Sequence, residues 1–159
     1  MNYQENLKKL NLNLPEAKAP VGNYVATKIS GKMLFISGQI SIDENGQLIK
    51  GKVGKDLDTE AGYNAAKRCA LSIVAQVKKA CEDDLTKVKS CIKLTGFVNS
   101  TDDFTEQPKV INGASDLIAS TSTETPKGKL FVLTAALVCI PASPKTEAIK
   151  SEAPFITFG

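Results

Sequence analysis

Leu34-Phe35-Ile36-Ser37-Gly38-Gln39-Ile40 is the stretch around which the rest of the chain is organised. The apolar run about Phe35 reads as a short strand buried on both faces, and it breaks into small polar residues where a strand leaves a core. Gly38 lets another backbone or a ligand approach closely, while the Ser37 hydroxyl and the Gln39 amide can donate and accept hydrogen bonds. On pattern alone this is a strand ending in a turn. A ligand-facing edge is the alternative.

Working outward towards the amino terminus, Tyr24 to Ile29 alternates as a strand should, and Ser30-Gly31-Lys32 is short enough to join it to Met33 as a hairpin. Asn2 to Leu10 is expected to form a short helix capped by Asn2, with Leu7 and Leu10 on one face. Residues 12–16 form an extended link, since Pro15 pushes its predecessor out of helical space. On the other side, Asp43-Glu44-Asn45-Gly46 is a turn signal. Gly51-Lys52-Val53-Gly54-Lys55-Asp56 fails as a phosphate loop, because its glycines are too close and Asp56 replaces the Ser or Thr, so it reads as a surface loop.

The clearest element runs from Asp58 to about Asp83. Ala66, Cys69, Ala70, Ile73, Val74, Val77, Ala80 and Cys81 recur at three- and four-residue steps, one apolar stripe on a helix. Asp58 or Thr59 caps it, and Arg68 falls on its polar flank, where a solvated or ion-pairing role is expected. Val88 to Val98 alternates as a strand with one core face. A second helix starts near Pro108, with Val110, Ile111, Ala114, Leu117 and Ile118 inward and Asn112-Gly113 as an interruption. Asn112 reads on pattern as a solvent-facing residue. Leu130 to Ile140 is nearly continuous apolar sequence, as in a central strand covered on both faces. Lys145 to Lys150 is expected to form a last short strand carrying Glu147. The order is that of an α+β domain with two helices on one sheet face, occupying 1–159 as a single domain.

Composition narrows the function classes. No apolar run approaches the roughly 18 residues that span a bilayer. The net charge of +3 is too small to argue for nucleic acid. The amino terminus has neither a secretory apolar segment nor an Arg-rich transit pattern, so a cytoplasmic location is expected. Cys69, Cys81, Cys91 and Cys139, without a C-x-x-C pair, read as reduced packing residues. The sequence contains no histidine, which removes Ser-His-Asp and Cys-His nucleophile systems, His-containing zinc sites and paired-imidazole ribonuclease chemistry. Arg68 is its only arginine, hence its only means of binding a carboxylate or phosphate through a planar fork.

Several blocks together resemble the RidA/YjgF family, in its longer subgroup labelled endoribonuclease L-PSP. They are Leu14-Pro-Glu-Ala, Val21-Gly-Asn-Tyr-Val, Ser37-Gly-Gln, Gly51-Lys-Val-Gly-Lys-Asp, Glu60-Ala-Gly-Tyr-Asn-Ala-Ala, Gly96-Phe-Val-Asn-Ser and Gln107-Pro-Lys-Val-Ile-Asn-Gly-Ala-Ser. The resemblance implies a chorismate-mutase-like mixed sheet with two helices packed on one face, assembled as a homotrimeric barrel with small-molecule clefts between subunits. It implies hydrolysis of enamine/imine intermediates to 2-oxo acids and ammonia with no metal or organic cofactor. By position, it implies Glu147 as the water-orienting catalytic carboxylate. Tyr24, Ser37, Gly38 and Asn112 would contact or border the substrate.

The chain departs from the family at one point. Where the family places an Arg on the long apolar strand, this sequence has Val132, with Lys127 and Lys129 the nearest cations. Lys129 is the candidate substitute, although a lysine is a flexible point charge without a fork. Loss of a charge-assisted bidentate contact costs about 2–4 kcal/mol of binding. Two readings follow: an imine hydrolase with altered anchoring, or a non-catalytic trimer binding a metabolite or a protein. RNA cleavage is disfavoured by the missing histidine, the lack of tryptophan and lysines spread rather than striped.

Overall fold

The structure is a computed structural model that describes residues 3–20, 22–122, 130–134, 137–139 and 156–157. In chain order the elements are α1 (Tyr3–Lys9), β1 (Thr27–Ser30), β2 (Met33–Ile36), β3 (Gln39–Ile40), α2 (Thr59–Ala80), β4 (Val88–Leu94), β5 (Gly96–Val98), α3 (Gln107–Thr121), β6 (Leu130–Thr134), β7 (Leu137–Cys139) and β8 (Ile156–Thr157).

Three of the strands break and resume. β1-β2-β6-β4-β8 form one mixed sheet, and β3-β7-β5 form a second in which the continuations of β2, β6 and β4 keep the same order. The single sheet expected from the sequence is therefore bent, and each bend falls at a short interruption. Ser37-Gly38 separates β2 from β3, and Thr95 separates β4 from β5, so the expected strand from Val88 to Val98 is two. β6 is central and parallel to both neighbours, in keeping with its apolar sequence. β1 and β2 form the expected hairpin, with Gly31 at φ +56° in a two-residue turn between Ser30 and Met33.

Leu34 and Ile36 are buried, but Phe35 between them is 39% exposed. Among the described residues only one face of β2 is covered, against the expectation of burial on both. The covering layer is α2 and α3, which pack on each other and on β2, β3, β5 and β7. Ala66, Cys69, Ala70, Ile73, Val74 and Val77 are all buried, so the stripe of small residues lies against the sheet as its spacing predicts. The Asp58 carboxylate caps α2 by accepting from Ala61 N at 2.7 Å.

Asn112 and Gly113 do not interrupt α3. A Cβ on Gly113 would lie 2.0 Å from the Tyr63 carbonyl oxygen, so the glycine is where the two helices cross. α1 forms as expected but buries Tyr3 and Leu7, an i, i+4 pair, and leaves Leu10 exposed. The amide of Asn6 donates to the carbonyls of Thr121 and Ser122, satisfying the end of α3. The proposed Asn2 cap and the strand at Lys145 to Lys150 lie outside the described residues.

Candidate functional site

A cavity of about 320 Å³ opens between α2, β3 with the loop that follows it, and the extended segment 15–20. Each wall is held by identifiable contacts. Pro15 and Pro20 keep the segment out of helix, and the Gln76 side-chain amide donates to Lys18 O at 2.8 Å, tying that segment over the helix. The loop after β3 closes on itself because the Asp43 carboxylate accepts from Asn45 N at 2.9 Å and Gln47 N at 2.8 Å, with Gly46 at φ +80°. Arg68 then pins this loop to α2: its Nε donates to Ile42 O at 2.9 Å, and its Nη1 lies 3.5 Å from the exposed Glu44 carboxylate.

Of the residues singled out from the sequence, Tyr24 and Gly38 line this cavity together. Tyr24 is 53% exposed and stands at the rim. Ser37 precedes Gly38, but its hydroxyl donates to Val25 O at 2.5 Å, and its N–H donates to Ala26 O at 3.0 Å. In this structure it splices the start of β1 to the end of β2, and it can still accept a hydrogen bond through Oγ. Asn112 is exposed on α3 and does not line the cavity. Lys129 and Glu147 lie outside the described residues. Position 132 sits in β6 in register with Leu34 and Cys91.

Three lining residues were missed by sequence reasoning: Arg68, in any role beyond ion pairing, together with Ser72 and Gln76. They recur at i, i+4 and i+8, one stripe of α2. The available signal was Gln76, a polar residue amid Ile73, Val74 and Val77, and only 3% exposed. Charge around the cavity is balanced, with Lys18 and Arg68 against Glu16 and Asp43, while the remaining lining is mainly apolar, including Pro15, Pro20, Ile40, Ile42 and Leu48.

The main titration shifts lie elsewhere. Burial pushes the Cys91 thiol up to about 11. Glu106 is held below its ordinary value by the Lys109 ammonium and then by the Thr59 hydroxyl. Among the described residues no three His, Cys, Asp or Glu side chains gather as metal ligands, and no helix is long and apolar enough to cross a membrane.

Residues 5–143 match the family described as "YjgF/chorismate mutase-like, putative endoribonuclease". Protein TCP17 of Trypanosoma cruzi is 46% identical over 115 residues, which cover 72% of this chain and 71% of that protein. The crystal structure of Atu1372 from Agrobacterium tumefaciens, a protein of unknown function, is 37% identical with a TM-score of 0.68, covering 86% of this chain and 81% of that one. A Shewanella oneidensis protein described as a putative endoribonuclease is 29% identical with a TM-score of 0.72, covering 87% and 88% of the two chains.

Proposed function

Because this chain belongs to the YjgF/chorismate mutase-like family, we propose that it binds a small carboxylate-bearing metabolite as a homotrimer and hydrolyses enamine/imine intermediates to 2-oxo acids and ammonia. The observation that carries the reading is the meeting of Tyr24 and Gly38 on one cavity of about 320 Å³, at the lower end of the ~300–1,000 Å³ typical of small-molecule sites. In the proposed reaction the Glu147 carboxylate takes a proton from water as its oxygen bonds to the imine carbon. Glu147 returns that proton to nitrogen to give the carbinolamine, and the hydroxyl proton then passes to nitrogen by way of the same carboxylate as the C–N bond breaks, the carbonyl forms and ammonia leaves. Tyr24 and Gly38 position the substrate, Ser37 can accept from it, Lys129 adds positive charge near its carboxylate, and Asn112, which lies off the cavity of its own chain, borders the cleft of a neighbouring copy.

Assembly is supported by what one chain leaves uncovered. Phe35 lies between two fully covered neighbours, and Tyr24, Val25 and Ile40 are also exposed. Two further copies of the chain are the proposed cover for Phe35, giving three times 17.0 kDa in solution by light scattering. No disulfide joins Cys69, Cys81 and Cys91 among the described residues, in keeping with the proposed cytoplasmic location.

Hydrolysis of 2-iminopropionate is the test. The wild type should exceed the buffer rate, and Glu147→Ala should fall to it; equal rates at background for both would discard the enzymatic reading. The substitution of valine for the family arginine at 132 favours a second reading, a trimer that binds without catalysis. It predicts stabilisation by 2-oxo acids in thermal unfolding despite no turnover. The ribonuclease name of the Shewanella relative finds no paired-imidazole counterpart in a sequence without histidine.

A further inference from the structure

We infer that the α2 stripe of Arg68, Ser72 and Gln76 sets what the cavity accepts: a small carboxylate with an apolar body and a hydrogen-bond donor at its far end. The inference rests on the reading of this cavity as a small-molecule site and adds the substrate class. Arg68 is the only arginine in the sequence, and it lines the same cavity as Tyr24 and Gly38. Its Nε bond to Ile42 O fixes the plane of the guanidinium, and its side chain is only 20% exposed. The Glu44 pairing engages Nη1 alone, at 3.5 Å, with a carboxylate that is 88% exposed and therefore well solvated. A fork held this way, with donors to spare, is suited to a carboxylate. It offers the planar contact that Val132 does not.

Gln76 supplies the second requirement. Its amide nitrogen donates to Lys18 O, which orients the amide. No donor among the described residues reaches its Oε1, although the residue is 97% buried as judged by its 3% exposure. Because Gln76 lines the cavity, a donor that enters it can satisfy this oxygen. Arg68 and Gln76 are eight residues apart, about 12 Å along the helix axis at ~1.5 Å per residue. Ser72 lies between them on the helix, and the lining also includes the apolar Pro20, Ile40 and Ile42. A straight aliphatic acid ending in a hydroxyl or amino group matches this order of contacts. The corresponding substrates are 2-imino acids whose side chains end in a donor.

Isothermal titration with 6-hydroxyhexanoate, hexanoate and 6-hydroxyhexanamide separates the contacts, since the last two lack the donor and the carboxylate respectively. Wild type should bind 6-hydroxyhexanoate at least about tenfold more tightly than either control, as the loss of one charged or buried contact implies. Arg68→Lys keeps the charge but loses the fork and should reduce the preference for acid over amide, and Gln76→Leu should erase the preference for hydroxyl over methyl. Ser72→Leu fills the space between them without touching the Arg68–Ile42 bond, and should weaken all three ligands together. Wild-type protein that binds none of them, or binds all equally, overturns the inference. So do folded Arg68→Lys and Ser72→Leu variants that bind as wild type does. If 2-iminopropionate is still hydrolysed in a Glu147-dependent way under any of these outcomes, the function stands and only the anchoring scheme is lost. Arg68-dependent titration without hydrolysis has the reverse meaning.

Discussion

Gly113→Ala tests the joint that holds α2 where the cavity needs it. The new methyl group would lie 2.0 Å from the Tyr63 carbonyl oxygen and 2.8 Å from its carbon, against about 3.4 Å for ordinary contact, so the helices must part by about 1.4 Å. The obstacle is backbone and cannot rotate aside. A gap of 0.5–1 Å already forfeits roughly a quarter to a half of a contact's dispersion energy. Val110, Ile111, Ala114 and Leu117, all buried on α3, would lose part of that packing. Overpacking of this kind costs about 1–3 kcal/mol, and the obstruction here belongs near the top of that range. Alanine's helix advantage over glycine offsets about 1 kcal/mol. The net loss should be about 1–2 kcal/mol, or a fall in Tm of roughly 2–8 °C for a chain of this size. Thermal unfolding at matched protomer concentration measures it, with Asn112→Ala as the control. That neighbour is exposed, and its replacement should be neutral or stabilising by less than ~0.7 kcal/mol. A Gly113→Ala protein as stable as wild type, or more so, would refute the close crossing of α2 and α3.

Asp58→Ala removes the oxygen that accepts from Ala61 N and should cost about 1 kcal/mol in urea unfolding, with no change in m-value; an unchanged midpoint would contradict the cap. Cys91, with its thiol at about 11 rather than the ordinary 9.0, should alkylate with iodoacetamide at pH 8 roughly 100-fold more slowly than a free thiol on thiolate fraction alone. Peptide mass spectrometry over time reads this residue by residue. Glu82 and Glu106 are held below 4.5 by Lys87 and Lys109, and Asp84 is held below 3.8 by Thr86. A depressed folded-state value means that the stabilisation is present above the unfolded value and is lost as pH falls through the folded one. The Tm should therefore decline modestly below about pH 4.5, since all three groups are exposed, and the decline should shrink in Lys109→Met; a flat profile from pH 6 to 3 would contradict these pairings.

The helices were legible because their signals are local. Asp58 caps what its position suggests, and the stripe from Ala66 to Val77 is buried as its period requires. The bends in the sheet were only half legible. Ser37-Gly38 announced a break, but nothing local in Val88 to Val98 says that Gly96 begins a strand of a second sheet. Phe35 misled because apolar character in a strand does not by itself say which of its faces the helices cover. Gly113 was read as a breaker, whereas its role is set by Tyr63, fifty residues away in sequence.

The site divides in the same way. Tyr24 and Gly38 were named through the resemblance and share a cavity, while Arg68 looked like a surface cation because its helical flank is polar. Its bond to Ile42 O depends on where the loop after β3 returns, which no helical pattern encodes. Gln76 carried a readable warning, a lone amide inside an apolar stripe.

The most direct measurement of the central claim is a crystal structure of the full chain soaked with 2-oxohexanoate, a carboxylate of the proposed product class. The ligand is predicted between Tyr24, Gly38 and the Arg68–Gln76 face of α2, in a trimer with Glu147 within reach of its 2-carbon. A lone monomer, or a trimer in which that hollow is filled by the chain's own side chains and the ligand is absent, would contradict it.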